Sequence, residues 1–412
     1  MSDASSQRPH ALDAMSPVEM TEAANLRKKY SLAFYCVCVA VSMLSVVVLI
    51  VLLLSIAFQG HAWLSWNLMS ASHSELNPES AGMWPAIIGS IFICGICAAS
   101  ALPLGIGTAV FLEEFQPKNR FLRAIHSFIQ LNIANLAGVP SIVYGLLGLS
   151  LFVFMFNVFG QIRVNESNGM ELAGVKRYYQ VLTMAGGGHT ALIPQTDPEQ
   201  PQIVVDGPMT AVDAEGRAYE LQIWEPGMPR PTDDETLRRT VRKGRRGGSY
   251  SELSWYYFRL PFGRSFLAAG LTLALVILPI VIIASQEALR SVSPSLREAS
   301  LGLGSTTWQT VRHVCLPAAI PGIMTGCILA MGRAIGEAAP ILVVLGAAVA
   351  KDSGPKNLMD NVVTMPVLIF NWAGRQQAVY QELAAAAIIV LLVILLLMNS
   401  LAIFLRQRMR LE

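Results

Sequence analysis

Charge is scarce in this sequence. Asp, Glu, Lys and Arg make up 14% of its 412 residues, whereas soluble domains average about 25%. Hydrophobic residues make up 53%. This balance excludes an ordinary soluble domain and indicates an integral membrane protein.

Cysteine is restricted to the apolar parts of the chain. None of the six cysteines lies between residues 159 and 262, which excludes a disulfide in that long polar stretch. Cys94-x-x-Cys97 has the spacing of a redox or metal motif, but it lies in an apolar run with no second ligand pair nearby. We therefore interpret both cysteines as small buried residues.

Long hydrophobic runs are what the sequence has in abundance. A bilayer-spanning helix needs about 20 apolar residues. The first run begins too far into the chain and is too long for a signal peptide. The sequence predicts six spans, near residues 31–58, 84–112, 126–158, 263–286, 322–350 and 383–405.

Basic residues flank the first and last spans. Arg27, Lys28 and Lys29 precede the first span, and three further arginines follow the last one. Because cytoplasmic loops are enriched in Lys and Arg, both termini are predicted to be cytoplasmic. Residues 1–30 form the cytoplasmic tail, and residues 1–26 of it are expected to be disordered. Residues 159–262 are then an extracytoplasmic insert, since long loops translocate largely regardless of their own charge.

The insert has a β-like composition. Residues 202–205 and 219–224 are strand-like and are bounded by Asp-Gly and Pro-Gly turn signals. We expect a small, mainly β subdomain, followed by an irregular linker over residues 226–250. It divides spans one to three (31–158) from spans four to six (263–412).

A polar segment, residues 287–320, separates spans four and five. Ser295-x-x-Glu298 and Thr306-x-x-Gln309 fit capping boxes that start two short helices. Gly304 fits the left-handed residue that ends the first, and Pro317 is expected to stop the second. The segment is therefore predicted to be a helical hairpin at the cytoplasmic face.

Span five carries an unusual pair of charges. Arg333 and Glu337 are one helical turn apart near the middle of the apolar run. A charge at the bilayer centre costs roughly 2.5–3.5 kcal/mol on insertion scales, so it must face protein or water. A guanidinium also matches phosphate oxygens, so these residues are candidates for an anion pathway. A structural ion pair between helices is the alternative.

Span three offers further polar candidates. Pro140 is expected to loosen the helix so that Ser141 and Tyr144 could face a pore, and Asn135 is a further polar candidate earlier in the same span. A packing role for these residues is equally compatible with the sequence. Small residues recur every four positions in both spans, as is typical of close helix contacts. They are Ala137, Ser141 and Gly145 in span three, and Gly322, Gly326, Ala330, Ala334 and Ala338 in span five.

The polar segment also resembles the EAA loop of ABC-importer permeases, E-A-A-x3-G-x9-I-x-L-P. Glu298-Ala299 is followed by Ser300 in place of the second Ala, Gly304 lies five positions after Ala299, and Leu316-Pro317 follows twelve later. Residues 332–340 resemble the G-R-A-I-G-E-[TA]-x-P segment of phosphate-specific ABC permeases. Residues 85–90, 103–107 with Glu113 and Glu114, and 136–145 resemble their PstA-type subunit.

The resemblance implies an all-α polytopic fold of six helices of the MetI-like type, in a bacterial cytoplasmic membrane. It implies four kinds of partner: a homologous PstC-type permease, two PstB-type ATPases, an extracytoplasmic phosphate-binding protein and the bilayer. It also implies that Glu298, Ala299, Gly304, Leu316 and Pro317 couple to the ATPase. The chain has no P-loop, so ATP and Mg²⁺ are expected on the ATPase, with no cofactor, catalytic site or nucleic-acid partner here.

Three alternatives stay open. The chain could be the permease for another oxyanion, such as sulfate or molybdate, because a central arginine does not exclude those anions. It could be an ion-coupled secondary carrier, which would not need a coupling loop. It could also be mainly a signalling subunit, with the insert as its sensor.

Overall fold

The protein is mostly helical. The computed structural model describes residues 17–72, 78–115, 117, 119–158, 170–174, 176–183, 190–195, 204–212, 217–225, 228–229, 232–233, 236, 239–244, 248–346 and 357–410. Its α-helices are α1 Pro17–Gly60, α2 Trp66–Ser70, α3 Trp84–Glu114, α4 Arg120–Leu136, α5 Ser141–Gly148, α6 Phe266–Arg290, α7 Pro294–Gly302, α8 Thr307–Thr310, α9 Leu316–Gly336, α10 Ala339–Leu345, α11 Met365–Ala373 and α12 Ala378–Arg410.

Among the described residues, five helices are long and apolar enough to cross a membrane, and a sixth span is possible if one bent pair counts as one. The five segments are Lys28–Trp63, Trp84–Glu114, Phe266–Arg290, Thr307–Gly336 and Ala378–Phe404. The prediction of a polytopic membrane protein is therefore confirmed at the level of length and composition.

Span three was wrongly predicted as one continuous helix. The segments Arg120–Leu136 and Ser141–Val153 meet at an angle of 113°. Pro140 explains the break: its N–H is missing, and it disfavours helical geometry at the residue before it. The result is either a broken span or a re-entrant loop.

Span five also differs from the prediction. It begins earlier than residue 322 and ends at Gly336, and the described part of its C-terminal half is the separate helix α10. Pro340 lacks the N–H that would bond to the carbonyl of Gly336, so the helix cannot continue in register. Residues 347–350 of the predicted span lie outside the described residues.

Pro317 does not stop a helix, contrary to the prediction. It lies in the first turn of α9, directly after a π-helical turn, Val311–Cys315, that follows α8. Proline is tolerated in a first turn because the N–H groups there need no intrahelical partner. The second arm of the hairpin therefore runs directly into the fifth span.

Helices α3, α6 and α9 form the packed centre of the helical part. Gly105 of α3 lies against Val281 of α6, and Gly322 of α9 lies against Ala288, where an added Cβ would be 2.8 Å from the Ala288 Cβ. Close approach of small residues is how membrane helices pack without a hydrophobic driving force. By contrast, α1 is almost wholly exposed in the isolated chain and packs chiefly on α12.

The N-terminal tail is shorter than predicted. Helix α1 begins at Pro17, so residues 17–26 are helical rather than disordered. The segment before the first span is rich in strong helix formers such as Ala, Glu, Leu and Lys, so the apolar helix extends back into it. Extending an existing helix costs less free energy than nucleating a new one. Residues 1–16 lie outside the described residues.

The polar stretch between spans three and four contains nine described strands. Strand β3 is central in an antiparallel sheet of order β5-β4-β3-β2-β8, while β1 pairs with β9 and β6 pairs in parallel with β7. The pairing of β1 with β9 brings the two ends of the stretch together beside the start of α6. The strands are β1 Met170–Ala173, β2 Lys176–Thr183, β3 Thr190–Gln195, β4 Thr210–Val212, β5 Ala218–Glu220, β6 Gln222–Trp224, β7 Thr240–Arg242, β8 Gly248–Leu253 and β9 Phe258–Leu260.

Two of the strand predictions need correction. Residues 219–224 form parts of two strands, because the chain leaves one sheet at the buried Leu221 and enters another. The irregular linker predicted for 226–250 contains β7 and the start of β8 in its described part. Residues 202–203 and 159–169 lie outside the described residues.

Candidate coupling and translocation sites

The hairpin between spans four and five is built from α7, a tight turn and α8, and we call residues 294–310 the coupling hairpin. Gly304 has a φ of +87°, which favours glycine over any side chain. Its N–H donates to the carbonyl of Leu301 at 3.0 Å, and the N–H of Ser305 donates to the backbone carbonyl of Ser300 at 3.3 Å. These are the two bonds of a Schellman motif, so Gly304 ends the first helix as predicted.

The start of each hairpin helix tests the predicted capping boxes. The Thr306–Gln309 box is present, with the Gln309 N–H donating to the Thr306 Oγ1 at 3.3 Å and the Gln309 side chain accepting from the Thr306 N–H at 2.8 Å. The Ser295 box is wrong. The helix starts at Pro294, whose fixed φ suits the first helical position, and Ser295 contacts the Ser293 hydroxyl instead.

The residues predicted to contact an ATPase lie on the hairpin surface. Glu298, Ala299, Gly304 and Pro317 are exposed, and Leu316 is half-buried at the start of α9. The sequence analysis missed the apolar side chains around them: Leu303 is 89% exposed, and Leu296, Leu301 and Trp308 are also exposed. Large apolar side chains that are exposed on a segment outside the membrane spans are typical of a protein-binding surface.

Two glutamates at the end of α3 bind arginines at the base of the hairpin, one at the end of α6 and one in α7. The Arg290 guanidinium donates to both carboxylate oxygens of Glu113, at 3.0 and 2.6 Å. Arg297 donates to Glu114 at 2.9 Å and to the backbone carbonyl of Leu289 at 2.6 Å. Forked contacts of this kind fix orientation as well as charge.

The Glu114 contact is the more enclosed of the two. Only 9% of the Glu114 side chain and 25% of the Arg297 side chain are exposed. Burial acts to lower the pKa of the Arg297 guanidinium, but the hydrogen bond and charge of Glu114 outweigh it, so that pKa is raised. The sequence pointed to Glu113 and Glu114 only through the family resemblance. Two adjacent acids at the end of a span, on the same predicted side of the membrane as an arginine-rich loop, were the signal that could have indicated these ion pairs.

Arg333 and Glu337 form the ion pair that their spacing predicts. The Arg333 Nε donates to the Glu337 Oε1 at 3.0 Å. Their geometry differs from the expected single helix, since Glu337 follows the last helical residue with an extended backbone. The Arg333 side chain is 52% exposed in the isolated chain, whereas that of Glu337 is 16% exposed. The pair thus lies at a helix break, with its arginine on an open face.

The breaks in spans three and five meet. Gly145 of α5 lies against Pro340 of α10, and an added Cβ there would be 2.9 Å from the Pro340 Cα. Pro340 is three residues beyond Glu337 in the chain, so α5 packs on the segment that follows the ion pair. Tyr144 precedes the contact glycine in the same helix.

The other predicted pathway residues occupy different environments. Tyr144 is buried and its hydroxyl donates to the backbone carbonyl of Leu136 at 2.8 Å, which ties α5 to the end of α4. Ser141 is half-buried and Asn135 is exposed. The structure therefore gives Tyr144 a packing contact, and the pathway roles of all three residues stay predictions.

Among the described residues no group of His, Cys, Asp and Glu could hold a metal ion. Cys97 is buried and Cys94 is partly buried, and both are free thiols in α3. Their surroundings agree with their interpretation as packing residues.

Comparison with known proteins identifies similar permeases. Over 326 residues, which are 77% of this chain and 74% of the relative, it is 24% identical to the probable ABC transporter permease protein YqgI of Bacillus subtilis. It is 26% identical over 268 residues to the phosphate transport system permease protein PstC of Haemophilus influenzae, covering 65% of this chain and 58% of that one. It is 39% identical over 111 residues to PstA 1 of Mycobacterium tuberculosis, covering 27% and 36%.

The chain thus spans less than two thirds of the length of these two phosphate permeases. A broader match comes from the family model for the inner membrane components of binding-protein-dependent transport systems, which matches residues 101–411. That range holds the coupling hairpin, the ion pair and most of the predicted spans. The chain belongs to this family and is a permease component of an ABC transporter.

Proposed function

We propose that the chain is the PstA-type permease subunit of an ATP-driven importer of inorganic phosphate in the bacterial cytoplasmic membrane. The observation that carries this proposal is Arg333, a half-exposed guanidinium at a helix break within the apolar part of the chain. Resemblance to phosphate permeases is the second support, and it is strongest over the 111 residues shared with PstA 1.

Arg333 is suited to a transient anion site. Its Nε is bonded to Glu337, and the two amino groups of the fork are the part of the guanidinium that matches two phosphate oxygens. Glu337 balances the charge while the site is empty. An incoming anion competes for the same cation, so binding is strong enough to select the anion and weak enough to release it.

The open face of Arg333 fits a pathway between two permease subunits. A half-exposed charge in a membrane helix must face water or protein, because lipid cannot solvate it. We infer that a homologous PstC-type permease covers this face and completes the pathway. Ser141, Tyr144 and Asn135, near the break in span three, are the candidate wall on this chain.

The coupling hairpin fits a cleft on an ATPase subunit. Glu298, Ala299 and Gly304 lie on the exposed surface of the hairpin, and Leu316 and Pro317 lie in the first turn of α9, which follows it. Two PstB-type ATPases that bind ATP and Mg²⁺ are the partners that this geometry suits. The insert, between residues 159 and 262, is assigned to the outside of the membrane, where a phosphate-binding protein would dock.

The proposal is tested by reconstitution. The chain is purified with its co-expressed permease and ATPase, placed in liposomes, and supplied with the external binding protein, ATP and radiolabelled phosphate. We expect uptake that needs ATP, is unaffected by collapse of ion gradients, and is poorly inhibited by sulfate or molybdate.

Each alternative predicts a different result, the first two in this assay and the third in cells. Uptake of sulfate or molybdate in preference to phosphate would identify a permease for another oxyanion. Uptake that follows an ion gradient without ATP would overturn the importer proposal. Loss of phosphate-dependent signalling with normal uptake, after deletion of the insert, would support a sensor role instead.

A further inference from the structure

We propose that Glu113 and Glu114 fasten α3 to the base of the coupling hairpin, Glu113 through Arg290 at the end of α6 and Glu114 through Arg297 in α7. Helix α3 and the hairpin then move as one body, and α3 carries the hairpin's displacement across the membrane. This inference rests on the proposed role of the hairpin in ATPase coupling. It assigns a positioning role to two acids that the anion pathway does not use.

The first support is the number and direction of the contacts. The hairpin is already joined covalently to α6 and α9, but α3 is distant in sequence and reaches it only through side chains. Arg290 and Arg297 bind Glu113 and Glu114 separately, across 177 and 183 residues of chain. The Glu114 pair reaches α7 in the hairpin itself, and the Glu113 pair holds α3 to the last residue of α6, just before the hairpin begins. Together they restrain a rotation that either contact alone would allow.

The second support is aromatic packing beyond the two glutamates. Phe115, the residue after α3, lies with its ring centroid 6.5 Å from that of Trp308 in α8. Within the hairpin, the hydroxyls of Ser300 and Thr310 are 2.9 Å apart and join its two arms. The end of α3 therefore contacts both arms of a hairpin that is itself braced.

The third support is the opposite end of α3. The N–H of Met365, at the start of α11, donates to the Ser90 Oγ at 2.9 Å, and Gly89 lies against the carbonyl of Val363. The carbonyl of Asp360 in the same segment accepts from the N–H of Phe266, at the start of α6. A helix rises 1.5 Å per residue, so Ser90 and Glu113 are about 35 Å apart, close to the thickness of a bilayer core.

Helix α3 thus joins the hairpin to the segment before α11 on the other side of the membrane. Along its length it is also packed closely on α6, as where Gly270 lies against Ile96. Packed helices with interlocked small residues move as units, since interiors deform little. Displacement of the hairpin by an ATPase would therefore reach residues 357–365 through α3.

The first test neutralises the two acids. In the reconstituted complex, the double variant Glu113→Gln, Glu114→Gln should still co-purify with the ATPase but take up phosphate about tenfold or more slowly, because both arginines lose the carboxylates of α3. The phosphate concentration for half-maximal uptake should not change, since the anion site is untouched. Glu287→Gln is the matched control: it also removes a carboxylate from Arg290, at 3.2 Å, but that contact lies within α6. It should keep near-normal uptake.

A charge swap separates positioning from folding. Glu113→Arg and Arg290→Glu should each lower uptake, and the double variant should restore most of it. Arg290 suits this swap because its hydrogen bonds within the described part of the chain go to carboxylates, whereas Arg297 also binds backbone carbonyls. Lack of rescue, with both single variants folded and defective, would contradict the proposal.

Cross-linking decides the question even if the neutral variants fail to fold. Cysteines replace Phe115 and Trp308 in a background without the six native cysteines, and a short bis-maleimide joins them. If α3 and the hairpin move together, the linked protein keeps the uptake rate of the unlinked double variant. A block of uptake on linking would overturn the proposal.

The hairpin's own role is checked in parallel with Gly304→Trp. If this variant loses uptake while the Glu113 and Glu114 variants keep it, the hairpin couples to the ATPase but α3 does not transmit its motion. If neither change has an effect, the proposed role of the hairpin itself is wrong.

Discussion

Gly145 lies against Pro340, so the broken third span packs directly on the broken fifth span. A Cβ on Gly145 would be 2.9 Å from the Pro340 Cα and 3.0 Å from the Val343 Cβ, and backbone cannot yield as a flexible side chain can. The two broken spans therefore support each other, and α5 packs on the segment that follows the Arg333–Glu337 pair.

This contact predicts the effect of a single methyl group. Gly145→Ala should destabilise the purified protein by about 1–3 kcal/mol, the usual cost of overpacking a tight contact. Gly107→Ala is the matched control, because Gly107 is also helical but has nothing within 4 Å of its would-be Cβ. It should be neutral or stabilising. Thermal unfolding in detergent measures both, and equal melting temperatures would contradict the packing argument.

The hairpin turn predicts a difference between two neighbouring glycines. Gly304→Ala forces a side chain into the left-handed region, at a cost of roughly 1–2 kcal/mol, and Gly304→Trp adds bulk at the exposed tip. Both should weaken ATPase association. Gly302→Ala, on the helical side of the same turn and with open space around it, should not.

Glu298→Arg tests the surface chemistry of the hairpin. Glu298 is exposed, so reversing its charge should leave the hairpin folded but weaken its association with the ATPase. Affinity co-purification of the ATPase, with protein level in the membrane as control, measures the effect. Normal recruitment and uptake in both Glu298→Arg and Gly304→Trp would remove the basis for a coupling role.

Local signals predicted the parts of the hairpin that depend on local chemistry. Gly304 and the Thr306–Gln309 box involve backbone and side-chain bonds within a few residues, and both are present. The Ser295 box was wrong because Pro294 competes for the same helix start, a choice between neighbours that spacing alone does not decide.

The long-range features could not be read from the sequence. The Arg297–Glu114 pair joins residues 183 positions apart, and the contact of Gly145 with Pro340 depends on how two helix breaks fold back. Pro140 and Pro340 signalled those breaks, but hydropathy favoured continuous spans over 126–158 and 322–350. Composition measures whether a segment is apolar, and it does not measure whether its backbone turns.

The predicted topology is tested by labelling. Ala218→Cys, exposed in β5, should react with an impermeant thiol reagent added to intact spheroplasts in a cysteine-free background. Ser295→Cys, exposed on the hairpin, is the matched control and should react only after lysis. Labelling of Ser295→Cys in intact spheroplasts, with Ala218→Cys protected, would reverse the assigned orientation.

The insert should be dispensable for anion passage. Ala173 and Phe258 are paired neighbours in β1 and β9, so a short Gly/Ser linker can replace residues 176–253 without moving the ends. We expect the shortened protein to assemble and keep part of its ATP-dependent uptake. Complete loss of uptake in an assembled complex would show that the insert takes part in transport.

The strongest dependence of transport should be on Arg333. Arg333→Gln leaves Glu337 without its partner and removes the cation that phosphate would meet. Loss of a hydrogen-bonded charge typically costs roughly 2 kcal/mol or more, so uptake below saturation should fall on the order of 30-fold or more. Arg123→Gln, which removes an exposed arginine from α4, is the control and should transport normally.

Two further variants separate charge from geometry at this site. Arg333→Lys keeps the cation but loses the fork, so it should rescue only part of the uptake. Glu337→Gln should be mild if the carboxylate only holds Arg333 at rest, and as severe as Arg333→Gln if it gates the pathway. Initial uptake rates over a range of phosphate concentrations, with assembly verified for each variant, distinguish these outcomes. Wild-type uptake in Arg333→Gln would remove the basis for the anion site, because Arg333 is the cation among the candidate pathway residues.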